Sequence, residues 1–166
     1  MLKLVPYSEK VFEAMYAWQT DEEIRKDMGG LSVPMREDEM LFSYQQFLTG
    51  NNAVLGVGTE EGKIVGAFIM EKIEPRHKRL EVHIVFDKEF LRHVGESCKL
   101  FLDYIFNERH FDWVIAYIGI NNEKSNNLVE RLGFVKRGIL PDYFSFQNGV
   151  EHANIYSLHK LKRKEI

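Results

Sequence analysis

The sequence predicts one α/β (α+β) domain whose elements run in the order β-αα-βββ-α-β-α-ββ. Three observations lead there. Apolar residues recur at helical spacing through residues 11–48, the period changes to that of strands over residues 53–86, and helical and strand patterns then alternate as far as Leu158. A chain of 166 residues suffices to bury on the order of two-thirds of its unfolded surface in one core. No repeat, low-complexity tract or linker divides it, so residues 1–159 are read as a single domain and 160–166 as a basic tail.

Residues 2–5 read as a short strand. Ser8 then offers a capping hydroxyl to a helix whose Val11, Phe12, Met15 and Tyr16 share a face, and residues 21–28 add a turn before Gly29 and Gly30. Pro34 opens the next helix, on which Met40, Leu41, Tyr44, Phe47 and Leu48 keep helical spacing until Gly50 breaks it. Residues 53–59 and 64–73 are β-rich runs joined by Glu60-Glu61-Gly62-Lys63, a hairpin connection, and residues 79–86 extend the meander. A helix over 95–109 turns Cys98, Phe101, Leu102 and Ile105 inward, and residues 113–118 form a strand. After a short helix come strands at 135–140 and 150–158, with Asn148-Gly149 as a turn that tolerates positive φ.

Composition excludes several classes of function. Lys plus Arg number 22 against 25 Asp plus Glu, and a pI near 6.1 leaves no positive excess for general nucleic-acid binding. No apolar stretch approaches the ~20 residues that span a bilayer, so no membrane partner is expected. The lone Cys98 rules out an internal disulfide, and the six His show no metal-binding spacing, so no metal is expected. With no long apolar signal region at residues 1–4, a reducing, cytoplasmic setting is expected. The basic run 160–164 reads as solvated charge.

The short helix carries the most information. Asn121 or Asn122 caps it, Leu128, Val129 and Leu132 form its apolar stripe, Gly133 supplies a left-handed stop and Phe134 starts a strand. The spacing of Asn122, Ser125 and Glu130-Arg131-Leu132-Gly133-Phe134 resembles the second signature of the GNAT superfamily, the acetyl-CoA-dependent N-acyltransferases. Upstream, Arg92-His93-Val94-Gly95-Glu96-Ser97 resembles the other GNAT signature, (Gln/Arg)-x-x-Gly-x-(Gly/Ala), in which amides at a helix start wrap the coenzyme pyrophosphate. It departs from that pattern in three ways: Ser97 replaces Gly or Ala, Glu96 takes a commonly apolar position, and an extra residue separates Phe90 from Arg92.

The element order resembles the GNAT fold along nearly the whole chain. That resemblance implies a three-layer fold with a mixed, mostly antiparallel sheet of six to seven strands flanked by helices. It also implies a splay between strands four and five that admits the pantetheine arm. Ile84, Val85 and Phe86 would border the splay, Arg92 to Ser97 would hold the pyrophosphate, and Asn122 and Ser125 would bond the arm.

Acetyl transfer to an amine needs a proton acceptor, oxyanion stabilisation and a proton for the departing thiolate. Glu81 and His83 lie two apart on a strand and so share a face, which makes Glu81 a candidate base. Asp142 is a second, because Leu140-Pro141-Asp142-Tyr143-Phe144 resembles an acidic-aromatic segment of the ribosomal-protein N-terminal acetyltransferase branch. Val129 stands where many GNAT enzymes carry a thiolate-protonating Tyr; the resemblance to the N-terminal acetyltransferase branch, where the Ser of Asn-x-x-Ser is considered for that role, implies the Ser125 hydroxyl as the candidate donor, while Cys98 reads as core. Asp21, Glu22, Glu23 and Asp27 would place acidic charge near the acceptor entrance.

The expected activity is direct transfer from acetyl-CoA to a primary amine on a protein N-terminus, a lysine or a small polyamine-like acceptor, by a monomer or homodimer. The alternative is a catalytically silent GNAT-like binding protein, motivated by Val129, Glu96 and the lengthened loop.

Overall fold

The computed structural model describes residues 1–27, 34–146 and 149–165. Its strands are β1 (Leu2–Pro6), β2 (Ala53–Thr59), β3 (Ile64–Glu74), β4 (Arg79–Phe86), β5 (Trp113–Gly119), β6 (Val135–Phe146) and β7 (Gly149–His159). They form one sheet in the order β1-β2-β3-β4-β5-β7-β6. Neighbours pair antiparallel except β4 and β5, which are parallel, so the expected mixed sheet is the one observed.

Helices cover both faces. On one side α1 (Glu9–Thr20) and α3 (Glu37–Phe47) bury Val11, Phe12, Met15, Trp18 and Met40 against Val54, Ala67 and Val85, with the short α2 (Glu22–Asp27) beside them. On the other, α4 (Val94–Asp103) and α5 (Glu123–Leu132) set Phe101, Leu102 and Leu132 against Val57, Phe68, Leu80 and Val114. Strand alternation explains the division: Leu80 and Phe86 face α4 while Val85 faces α1. Phe68 and Phe101 stack with ring centroids 4.3 Å apart, joining sheet to helix.

Local chemistry accounts for the boundaries. The Ser8 side chain accepts from the Val11 amide at 3.3 Å and starts α1 as expected. In the β2–β3 hairpin Gly62 takes φ +88°, and the Thr59 amide bonds the Lys63 carbonyl. Gln19, which no apolar pattern marks, is fully buried, and its carboxamide exchanges bonds of 3.1 and 2.8 Å with the Met35 backbone. The pair ties the end of α1 to the approach of α3 without leaving a buried polar group unmet.

Several boundaries differ from the sequence reading. Leu41 is exposed although its spacing suggested an inward position, because Met40 takes the buried place on α3. The helix expected over 95–109 is α4 followed by a π-helical turn, Tyr104–Glu108, where the Arg109 amide reaches the Tyr104 carbonyl. Strand β6 continues past Pro141 to Phe146. It is an edge strand, so the missing N–H breaks no ladder, and a bulge between Leu140 and Phe144 absorbs the irregularity. Met28, Gly29, Gly30 and Asn148 lie outside the described residues.

Lys160, Arg163 and Lys164 are tied down, where charge pattern alone suggested a solvated run. The Lys160 ammonium lies 2.8 Å from Asp112, Arg163 bonds Asp103, and the Lys164 amide bonds the Leu132 carbonyl. Among the described residues no helix is long and apolar enough to cross a membrane.

Candidate active site

Strands β4 and β5 pair at only three positions, Arg79 with Trp113, Leu80 with Val114 and Glu81 with Ile115. Beyond Glu81 each keeps its antiparallel partner: β4 follows β3 to Phe86 opposite Gly66, and β5 follows β7 to Gly119 opposite Ala153. The short parallel ladder yields to two longer antiparallel ones, and the sheet opens. Val82, His83 and Ile84 are consequently only half buried, although β4 is an interior strand. A cavity of about 610 Å³ occupies the opening, walled by both strands, α4, α5 and residues of α2 and β6.

The α4/α5 wall is apolar, with Cys98, Phe101, Leu102, Leu128 and Val129. Burial pushes the Cys98 thiol up to about 12, which suits a packing residue and removes it as a nucleophile near neutral pH. Polar groups gather where α5 begins. Asn122 and Ser125 both line the cavity, and Asn122 Oδ1 accepts from the Ser125 amide at 3.2 Å, capping the helix. The helix stops at Gly133, whose φ of +102° suits glycine.

Through the opening, on the α1/α3 face, lies a different chemistry. Register places Glu71 of β3 opposite Glu81 of β4, and period two adds His83 to the same face. The His83 Nε2 sits 3.7 Å from a Glu71 carboxylate oxygen, and the imidazole holds that carboxyl below its ordinary range. Glu81 is buried, accepts from the Tyr117 hydroxyl at 3.1 Å and lies 3.4 Å from the Lys72 ammonium. Lys72 reaches it from the bulge in β3, where its own φ is +48°. Burial, seconded by Glu81, pushes the Tyr117 phenol up to about 12, so it remains a donor at neutral pH. Tyr143 stacks on Tyr117 at 5.2 Å.

A slot through the sheet, apolar on one face and lined on the other by the His83 imidazole and the Tyr117 phenol, with Glu81 buried behind that phenol and outside the lining, can hold a long thin molecule. The model for the acetyltransferase (GNAT) domain matches residues 1–135. The chain belongs to the GNAT family. It is 26% identical over 107 residues to YdaF of Bacillus subtilis (strain 168), provisionally named a ribosomal N-acetyltransferase, covering 63% of this chain and 57% of that protein. It is 28% identical over 101 residues to the uncharacterized N-acetyltransferase YoaA of the same strain, covering 59% and 56%. The matches thus span little more than half of those relatives. The fold is similar to that of spermidine N-acetyltransferase from Vibrio cholerae, solved with CoA and spermine, with a TM-score of 0.86 at 18% identity, covering 97% of this chain and 96% of that one.

Within this GNAT fold the residues singled out by sequence are unevenly placed. Ile84, Asn122 and Ser125 line the cavity, and His83 joins them, whereas Val85 and Phe86 are buried on β4 next to it. Arg92 and His93 end a 3₁₀ turn, Lys88–His93, and Val94 to Ser97 open α4; none lines the cavity, which α4 meets from Cys98 onward. The Ser97 hydroxyl turns back to the His93 carbonyl at 2.9 Å, and Glu96 is exposed. Asp142 stands on the β6 bulge at φ +51°, exposed, with its amide bonded to His152 Nδ1 and its carboxylate 3.4 Å from that nitrogen, and it does not line the cavity. Asp21 and Glu23 meet Lys88 at 2.8 and 3.5 Å, which offsets their charge, Glu22 lines the cavity, and the Asp27 side chain lies outside the described residues.

Sequence reasoning missed Glu71, Tyr117 and Arg25. Tyr117 was within reach, since alternation along β5 puts it on the face of Ile115. Glu71 was not, because a bulge between Glu71 and Glu74 shifts the register of β3 against β4. Arg25, buried in the cavity wall and bonded to the Gln19 carbonyl at 2.8 Å, had no local signal.

Proposed function

We propose that this protein transfers an acetyl group from acetyl-CoA directly to a primary amine on a protein N-terminus, a lysine or a small polyamine-like molecule. The observation that carries this reading is the parting of β4 from β5 just beyond Glu81, which opens an apolar slot onto a face bearing Glu81, His83 and Tyr117. Bound there, acetyl-CoA supplies an acetyl group activated as a thioester. The residues present fit its arm: Ile84, Val85 and Phe86 carry backbone along the edge that β5 has left, and Asn122 and Ser125 add polar groups at the mouth. Arg92, His93, Val94, Gly95, Glu96 and Ser97 would hold the pyrophosphate. Gly95 has no side chain and Ser97 is tucked inward, which favours approach to the helix start, while the Glu96 charge opposes it.

An incoming ammonium must shed a proton before it can attack. Glu81 is the preferred acceptor, directly or through water, because it is buried beside the splay and oriented by Tyr117 and Lys72. His83, backed by Glu71, stands one step along the same face as a relay. Asp142, paired with His152 outside the cavity, is the weaker base. Val129 has no proton to give, and the Ser125 hydroxyl, also in the cavity wall, would be the group to supply one to a departing thiolate. The protein acts as a cytoplasmic monomer or homodimer in this reading.

Val129 in the wall also favours a second reading, a silent protein that binds the coenzyme without turnover. Free thiol release from acetyl-CoA with a panel of amines and N-terminal peptides separates the two. We expect release, with Glu81→Gln lowering kcat/KM by about 10²-fold or more. Coenzyme binding with no release on any acceptor supports the silent protein, and failure to bind coenzyme A overturns both.

A further inference from the structure

We propose that Asn126 is a positioning residue that anchors Gly119 and Asn122, two wall residues of the cavity, to β7 and thereby sets affinity for the coenzyme. The inference rests on the coenzyme-binding reading above. Asn126 does not itself line that cavity. Its Nδ2 donates to the Gly119 carbonyl at 2.9 Å and to the Asn122 carbonyl at 2.8 Å, while its Oδ1 accepts from Asn154 Nδ2 at 2.9 Å and from the Tyr156 hydroxyl at 2.7 Å. Every donor and both lone pairs of the amide are used, and because the two carbonyls can only accept, the amide has one possible orientation.

The four bonds join three elements: the end of β5, the first turn of α5 and the buried side chains of β7. Asn154 and Tyr156 are 7% and 1% exposed, on a strand paired to β5 over its whole length, so the far side of the hub is rigid. The near side is the turn from Gly119 to Asn122, which carries Asn121 and Asn122 into the cavity wall. Glu151 of β7 steadies the same turn by accepting from the Asn121 amide at 3.0 Å. Asn154 keeps its own Oδ1 buried with no partner among the described residues, an unfavourable arrangement that its bond to Asn126 accounts for. A helix start needs only its cap, which Asn122 already supplies to Ser125. Asn126 adds the coupling of that start to the sheet.

Asn126→Asp tests the assignment, since the carboxylate keeps both acceptor bonds and repels the two carbonyls. Titration calorimetry with coenzyme A, well below the melting temperature, is expected to show affinity reduced by about tenfold or more. At saturating acetyl-CoA, kcat/KM for the amine is expected to stay within about threefold of wild type. Tyr156→Phe, which removes one of the two bonds holding the amide to β7 and leaves both carbonyl bonds, is expected to weaken affinity less than Asn126→Asp does. Hydrogen exchange by mass spectrometry reads the tether without any coenzyme: amides of residues 119–126 should exchange faster in Asn126→Asp, with β1 and β2 unchanged. Equal coenzyme affinity in Asn126→Asp and wild type overturns this proposal alone, as does unchanged exchange in that turn. A wild-type protein that binds no coenzyme A overturns the functional reading instead, and the exchange result still decides whether Asn126 holds the turn.

Discussion

Cys98 and Glu81 show how burial redirects side-chain chemistry. Each sits where its ionised form meets apolar surroundings or a small set of partners, and the outcome differs with the partners. Cys98 has none for a thiolate, so burial lifts its thiol to about 12. The sign follows directly: the folded state disfavours ionisation, so this contribution to stability is whole below the ordinary thiol range and is lost as pH rises toward 12. A disulfide reagent at pH 8 should therefore label Cys98 far more slowly than an exposed thiol, and prompt stoichiometric labelling of native protein would contradict its burial. Glu81, by contrast, is buried with the Tyr117 hydroxyl and the Lys72 ammonium at 3.1 and 3.4 Å as partners for its carboxylate. The choice of Glu81 as a candidate was legible from its two-residue spacing to His83. The Lys72 ammonium was not, because a left-handed bulge residue turns it toward Glu81 and strand alternation alone would send it the other way.

At the scale of elements, α5 and its flanking turns connect sequence to site most directly. Asn122 caps the helix, Gly133 ends it, and both were readable from residue type and spacing. Gly133 has a second constraint that spacing does not reveal. A Cβ there would stand 2.5 Å from the Lys162 carbonyl, because residues 160–164 pack against the end of the helix. Gly133→Ala should accordingly cost at least about 1–2 kcal/mol from the left-handed backbone alone, with the carbonyl clash in addition. Urea unfolding measures it, and a variant as stable as wild type would mean that the packing of 160–164 is incorrect. Strand β6 gives the opposite lesson. Pro141 ended the strand in the sequence reading, yet an edge strand needs no amide from that residue, and whether a strand lies at an edge is a property of the sheet.

For the whole molecule, the open ends of β4 and β5 expose backbone and apolar wall that a bound ligand would cover. A ligand that binds only the folded state stabilises it by about 2.7 kcal/mol at one hundred times its dissociation constant. For a domain of this size that corresponds to a rise of roughly 5–10 °C in melting temperature. Coenzyme A should produce such a rise in a thermal scan, and adenosine at the same concentration should not. Equal shifts would place the binding energy outside the splay. The sequence by itself determined the order of elements, the placement of most apolar faces and the two signatures, because helical and strand periods, caps and glycine stops act over a few residues. The tertiary structure alone decided that β4 and β5 separate after three pairs, that Glu71 and Lys72 meet His83 and Glu81, and that Asn126 joins α5 to β7. Those contacts link residues 9 to 34 positions apart through register, bulges and the competition of antiparallel ladders with a parallel one, and no local pattern encodes them.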